Sequence, residues 1–275
     1  MIKLTLKGRM GNQMFQFAYA YLLAKKNRSS ILLKPISHFG FCLDFFSLPV
    51  FGSILPKKYF VKFHKILWQL FPAKKKIVEN SCFYTYHEPS IHDITEIEGF
   101  FQDGNAYVRH KEEFRELFTI KNSIQKRFQK KYQDLLKKRN VVLNIRMAKD
   151  YQTAYFEEIK SNGLLPIDWY MKALDKLNFS MYDHLIVIAD DITLVKEKIN
   201  LNRFNPVYID DDIATDYLFL LHSDCLIIPN SSFSWWPAFL NNNPNKKVYA
   251  PKNWVGCHVE KEYPTGIMIN DFDWI

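Results

Sequence analysis

The sequence predicts an α/β protein with parallel, doubly wound sheets. Three observations carry this. Short apolar runs recur through the second half of the chain, at 141–145, 185–189, 206–209, 225–228 and 248–250. Stretches with helical apolar spacing lie between them. The first residues follow the same plan, a strand, a glycine turn and a helix. The 275 residues suffice for two compact domains. We expect an N-terminal α/β domain over 1–138 and a C-terminal Rossmann-like domain over 139–275.

The elements follow in order. Ile2 to Leu6 alternates and reads as a strand, Gly8 to Asn12 as a turn. From Asn12 to Lys26 the apolar spacing of Phe15, Ala18, Tyr19, Leu22 and Leu23 predicts a helix. Ile31 to Lys34 is a second strand, and 36–95 is irregular and aromatic. Within it, residues 57–76 carry seven lysines and no acid, with Phe60, Phe63, Leu67, Leu70 and Phe71 near one helical face. Such a helix lies on a membrane interface or packs on its own domain with its lysines in water. Glu96 to Gln102 reads as a strand, and 104–139 as helical. Residues 121–139 hold eight basic residues against one acid, the pattern of a nucleic-acid stripe or of a solvated helix joining two domains. The latter is favoured, because only Phe128 and Tyr132 supply aromatic interleaving. Pro166 opens a helix. Asp190-Asp191 ends a strand, Asp212 or Thr215 caps a helix through His222, and Asn230-Ser231-Ser232 caps one through Leu240.

Composition narrows the class. Hydrophobic residues make up 48% and charged residues 24%, which excludes a disordered coil. The net charge of +8 favours an anionic partner. Cys42, Cys82, Cys225 and Cys257 form no CxxC pair and read as thiols of a reducing compartment. The eight histidines lack zinc spacing. No apolar run approaches the roughly 18 residues of a spanning helix. A cytoplasmic protein is expected.

In a doubly wound sheet, ligands bind at the carboxyl ends of strands. Four polar clusters fall at such ends: Gly8–Gln13, Arg146–Tyr151, Asp190-Asp191 and Asn230–Ser232. Together they suggest one cleft between two α/β halves. Gly8-x-x-Gly11-Asn12 lets backbone approach a ligand, or is a tight turn; it is neither a Walker loop nor a dinucleotide fingerprint. Ser231-Ser232 offers amides and hydroxyls to a phosphate, or caps its helix. Arg146 suits bidentate phosphate binding, or an interdomain ion pair. Asp210-Asp211-Asp212 is a metal site of the DxD kind, or a solvated loop capping the next helix.

The motif Gly8-Arg9-Met10-Gly11-Asn12-Gln13-Met14-Phe15-Gln16-Phe17-Ala18 resembles the opening of the bacterial and animal α-1,2-fucosyltransferases. Gly99-Phe100-Phe101-Gln102, Ala189-Asp190-Asp191, Asn230 to Trp236 and Ala250-Pro251-x-x-Trp254 are similar to further motifs of that family, in order along nearly the whole chain. The resemblance implies a GT-B-like pair of Rossmann-like α/β domains facing across a cleft. It implies transfer of L-fucose from GDP-L-fucose to the 2-hydroxyl of a galactoside in a surface glycan such as an O-antigen, with inversion and no metal or other cofactor. The N-terminal domain would take the acceptor and the C-terminal domain the donor.

Residue by residue, the resemblance places Arg9, Gly11 and Asn12 in a loop facing the donor, Arg146 on its pyrophosphate, and Ser231 and Ser232 on its phosphates, with Asn144, Asp190 and Asn230 beside them. Asp216, eight residues before Asp224, matches an aspartate that reads the guanine edge. The family's His-x-Arg-x-Gly-Asp-Tyr is Asn144-Ile145-Arg146-Met147-Ala148-Lys149-Asp150-Tyr151 in this chain, with Asn for His, Ala for Gly and one residue inserted. This admits another GDP-6-deoxyhexose donor, or a catalytically weak nucleotide-sugar-binding homologue. Arg146 would stabilise the leaving diphosphate, and Asp150, Glu157 and Glu158 are the candidate bases. The expected partners are a GDP-sugar and a galactoside glycan, with no nucleic acid, and residues 57–76 as a peripheral contact with the inner face of the cytoplasmic membrane.

Overall fold

The computed structural model describes residues 1–34, 41–53, 55–79, 86–148, 153 and 155–275. It divides into two units, Met1–Lys121 and Asn122–Ile275.

The first unit contains β1 (Ile2–Leu4), α1 (Met10–Lys26), β2 (Ile31–Leu33), α2 (Phe41–Phe45), α3 (Lys57–Leu70), β3 (Lys75–Glu79), β4 (Thr95–Gly99), α4 (Gly104–Tyr107) and α5 (Lys111–Leu117). Among the described residues its four strands are parallel in the order β2-β1-β4-β3. The central strand β1 is fully buried, including Lys3. The ammonium of Lys3 donates to the carbonyls of Trp68 and Phe71 at 2.9 and 2.8 Å and lies 4.2 Å from the Trp68 ring centroid. It thereby satisfies carbonyls at the carboxyl end of α3, where a cation is favoured. Within the region 36–95, α3 occupies the stretch read as helical, and β3 is a strand the sequence reading does not contain. The lysines of β3 concealed a strand that lies on the sheet edge, where charged side chains protect against unwanted pairing.

The second unit contains α6 (Asn122–Leu136), β5 (Asn140–Ile145), the β6–β7 hairpin (Tyr155–Phe156 and Ser161–Asn162), α7 (Ile167–Asp175), β8 (His184–Ala189), α8 (Ile192–Lys198), β9 (Val207–Tyr208), α9 (Ile213–His222), β10 (Cys225–Ile227), α10 (Ser232–Leu240), β11 (Lys247–Ala250) and β12 (Asp273–Trp274). Six strands run parallel in the order β12-β11-β10-β5-β8-β9. The chain moves outward from β5 through β8 to β9, then returns to the other side of β5 and moves outward through β10, β11 and β12. This is the Rossmann order, with its switch point between β5 and β10. The core packs Val141, Leu143, Ile145, Leu185 and Val187 against Tyr170 and Leu174 of α7.

The division falls upstream of the expected 138/139 boundary, because α6 packs on the second unit. Phe128 and Tyr132 each meet the Phe219 ring at 4.9 Å between centroids. The helical stretch 104–139 is broken between α5 and α6. Cys42 and Cys225 are buried thiols and Cys257 is partly buried; Cys82 lies outside the described residues. Among the described residues no helix is long and apolar enough to cross a membrane.

Candidate active site

In an open sheet of this order a ligand binds outside the carboxyl ends of the strands at the switch point. β5 delivers Arg146 there and β10 delivers Asn230 to Ser232. The loop after β5 is held from the neighbouring strand. Asp190, following β8, accepts from the amides of Met147 and Ala148 at 2.8 and 3.1 Å, and its other oxygen lies 3.9 Å from Arg146 Nε. The Arg146 amide meets the hydroxyl of buried Tyr170 at 3.4 Å. Asp190, expected among the donor contacts, thus fastens the loop that carries the arginine. Asp191 has a separate duty and caps α8 through the Leu194 amide at 2.8 Å.

On the other side of the switch point, α10 starts at Ser232 with Ser231 in the cap position. The Ser231 side chain caps no amide of its helix, and the first turn holds no acid. Plain N-capping is therefore not what Ser231 does in this structure. A helix start of this kind is suited to an anion, because its amides point outward and the dipole favours negative charge.

Two asparagines lie behind these groups. Asn144 is buried, and its side-chain oxygen accepts from the Ser234 hydroxyl at 2.6 Å. Its amide reaches the Ile188 carbonyl at 3.5 Å. Expected at the nucleotide, it ties β5 to the first turn of α10. Asn230, also buried, donates to the carbonyls of Gly163 and Trp254 at 2.6 and 3.4 Å. The second bond joins the Asn-Ser-Ser motif to the Pro-x-x-Trp motif, where Asn253 and Trp254 hold φ of 64° and 55°. Trp235 and Trp236 are fully buried and belong to the core.

Asp216 stands in the first turn of α9, partly buried. Burial, then the charges of Asp211, Asp212 and Asp210, push its carboxyl up to about 8. The acidic triplet has its own partners. Asp212 caps α9 through the Thr215 amide at 2.9 Å and pairs with Arg127. Asp211 accepts from Lys131 at 2.8 Å and from the Tyr132 hydroxyl at 2.7 Å. The Lys131 hydrogen bond holds the Asp211 carboxyl well below the usual carboxylate range. The basic stripe of α6 and the acidic loop thus answer each other within one unit. Among the described residues no cluster of three or more His, Cys, Asp or Glu side chains is placed around a metal position.

The candidate bases are less concentrated. Glu157 and Glu158 are exposed at the turn of the β6–β7 hairpin. Asp150 lies outside the described residues.

In the first unit, β1 ends in the glycine turn. Gly8 has φ +70°, and a side chain there would place its first carbon 2.5 Å from Asn12 Nδ2, so glycine is required. Buried Gln13 donates to the Gly8 carbonyl at 3.0 Å, and buried Gln16 accepts from the Lys7 amide at 2.8 Å. The motif's glutamines therefore shape the loop. Gln102 donates to Asn12 Oδ1 at 2.7 Å, which joins the Gly-Phe-Phe-Gln motif to the opening one. Phe101 holds φ 52° and stacks on Tyr19 at 4.0 Å. Gly11 is buried in α1, whereas Arg9 is exposed at its start and supplies no side-chain cap.

Sequence reading missed Ser234 and Tyr170. Each lies on the buried side of its helix, and only tertiary packing aims them at Asn144 and Arg146.

The comparisons with known proteins agree with this architecture. Over residues 1–266 the chain matches the model of "Glycosyl transferase family 11". It is 25% identical to the O-antigen biosynthesis glycosyltransferase WbnK of Escherichia coli, covering 96% of this chain and 98% of that protein. It is 28% identical to an α-1,2-colitosyltransferase of Escherichia coli, covering 90% of each. Among solved structures, NodZ α-1,6-fucosyltransferase soaked with GDP-fucose aligns with a TM-score of 0.53 at 12% identity, over 87% of this chain and 92% of that one. POFUT1 in complex with GDP-fucose aligns at 0.55 and 14%, over 90% and 96%. These structural likenesses establish the fold, a GT-B-like pair of α/β units. The family match spans both units and contains all five motifs named above, and so this chain belongs to glycosyl transferase family 11.

Proposed function

We propose that this protein transfers L-fucose from GDP-L-fucose to the 2-hydroxyl of a galactoside in a surface glycan, with inversion and without a metal. The observation that carries the donor half is the pairing of Arg146 and the uncapped start of α10 on the two strands that flank the switch point. A nucleoside diphosphate leaves as an anion, and catalysis requires that its developing charge be met. A fixed guanidinium and outward helix amides supply this without a metal. Asp216, as a carboxylate, accepts from the paired N–H groups of a guanine edge. Asn144, through Ser234, sets the angle at which α10 meets the phosphates. The acceptor hydroxyl loses its proton to a carboxylate, for which Asp150, Glu157 and Glu158 remain the candidates. The O-antigen role of one relative supports a surface glycan as acceptor. We place the protein in the cytoplasm, in peripheral contact with the membrane that bears such acceptors.

A second donor is supported by one observation: a relative of similar identity is a colitosyltransferase. The test is a donor screen with purified protein and galactoside acceptors, read by release of GDP or UDP. GDP-fucose should be turned over fastest. Preference for GDP-colitose or GDP-mannose would change the sugar and keep the site. Preference for a UDP-sugar would refute the guanine reading. Binding of GDP-fucose with no turnover under any acceptor would make the chain a nucleotide-sugar-binding homologue.

A further inference from the structure

Helix α3 has one apolar face more than its fold needs. Its inner face, with Phe60 and His64 buried, packs on the first unit. His64 is fixed there, its ring nitrogens lying 3.1 Å from the Leu33 amide and 2.7 Å from the Phe51 carbonyl. A helix on a globular surface then presents polar residues outward. Here Tyr59, Phe63, Ile66 and Leu70 recur at i, i+4, i+7 and i+11 and form a second stripe on another face. Tyr59, Ile66 and Leu70 are 57%, 46% and 66% exposed. Phe51, 45% exposed, stacks on Phe63 with 5.7 Å between centroids and extends the stripe beyond the helix. The single apolar face expected from the sequence is thus split: Phe60 turns inward, Leu70 outward, and Phe63 lies half-buried against Phe51.

The border of the stripe is cationic. Lys62 and Lys65 are exposed on its flank, and the segment 57–76 contains no acid. On the other side, Phe51 also lines a cavity of about 590 Å³ with Lys25, Arg28, Ser29, Ser30 and Ser53. Among the described residues Lys62, Lys65 and Arg28 have no acidic partner. The cavity sits at the amino end of β2, whereas the Gly8–Asn12 loop follows the carboxyl end of the parallel strand β1. The cavity is therefore at the opposite end of the sheet from the loop, while α3 runs along the sheet with His64 beside Leu33.

We propose that the face formed by Tyr59, Phe63, Ile66, Leu70 and Phe51 docks on an anionic lipid bilayer, with Lys62 and Lys65 at the headgroups and Arg28 with its neighbouring serines receiving a lipid phosphate. Charge decides among occupants. A second copy of this chain would bring the same lysines against themselves, since the segment carries no acid to meet them. An anionic membrane meets both the apolar stripe and its cationic border. This rests on the peripheral membrane contact proposed above and assigns it to named residues, and GDP binding is measured separately so that the two readings can fail independently.

The test is co-sedimentation of the full chain with vesicles of phosphatidylcholine alone and of phosphatidylcholine with phosphatidylglycerol. The protein should pellet with the anionic vesicles at low salt and leave them at high salt. Ile66→Glu with Leu70→Glu should abolish pelleting. Lys62→Glu with Lys65→Glu should weaken it at least about five-fold per lysine, and Arg28→Glu at least about as much as one lysine. All these positions are exposed, and circular dichroism on each variant should match the parent. GDP binding should be unchanged in all of them, which separates this proposal from the donor-site reading. Equal pelleting with neutral vesicles, no pelleting at all, or unaltered pelleting of the variants overturns it. So does a concentration-dependent dimer that Ile66→Glu with Leu70→Glu disperses in the absence of lipid.

Discussion

Replacing Asp216 with asparagine should make the second unit more stable and strip it of guanine nucleotide. The carboxyl is pushed up to about 8 from an ordinary 3.8, by burial first and by the acidic triplet second. A carboxyl with a raised folded pKa binds more protons in the native state than in the unfolded one. Its effect on stability is absent below the unfolded value. It becomes an increasing cost as pH rises from about 4 toward 8 and is constant above that. Asparagine carries no such cost. Each pKa unit corresponds to about 1.4 kcal/mol, and solvent on the exposed part of the side chain reduces the sum. We expect the variant to gain about 1–2 kcal/mol at neutral pH, or roughly 2–8 °C in Tm. The gain should shrink toward pH 4 and vanish below about pH 3, where the parent's carboxyl is uncharged in both states.

Nucleotide binding should move the opposite way. A guanine edge presents donors, and only the ionised carboxylate accepts from two of them. Below the folded pKa the binding-competent form is a minority, so the apparent affinity of the parent for GDP should rise about fifty-fold from pH 6 to pH 8 and then level off. The asparagine variant should bind GDP about 10- to 100-fold more weakly at pH 8, with no comparable rise. Calorimetric titration with GDP and thermal unfolding across the same pH series make both measurements, with UDP as the control ligand. A parent affinity that is flat in pH, an asparagine variant that keeps GDP, or a stability gain as large at pH 4 as at pH 7 would each refute the reasoning.

Three further outcomes are expected. Arg146→Lys should fold normally and lose on the order of 10²-fold in kcat/KM, because a point charge cannot clamp two phosphate oxygens; near-normal turnover would remove Arg146 from the chemistry. Asn144→Ala and Ser234→Ala should each destabilise the second unit by about 1–3 kcal/mol, and a double-mutant cycle should give a coupling near 1 kcal/mol, since each leaves the other buried and unpaired; additive losses would mean that their 2.6 Å hydrogen bond contributes nothing. Dialysis against EDTA should leave transfer intact, measured by GDP release; loss restored by manganese or magnesium would assign a metal to the Asp210–Asp212 loop.

Hydrophobic periodicity and capping signals in the sequence determined the second unit's principal strands and helices. Of the two caps the sequence offers for the helix ending at His222, Asp212 is the one used, and Asp191 caps α8 in the same way. They do so because a cap depends on residues three apart in one segment, a local fact. Residues 75–79 escaped notice as a strand, because an edge strand exposes its lysines and loses the alternation that identifies buried strands. Only the tertiary structure decided how the polar motifs divide their labour. Arg146, Asp190 and Tyr170 come from three separate stretches, and their meeting depends on strand order. Asn144 faces Ser234 and not solvent because β5 is central and buried on both sides, which no window of sequence around Asn144 reveals. The triplet of aspartates shows the same limit. Read alone it resembles a metal site, yet Arg127 and Lys131 of α6 meet two of its members, and the packing of Phe128 and Tyr132 on Phe219 is what brings those cations there.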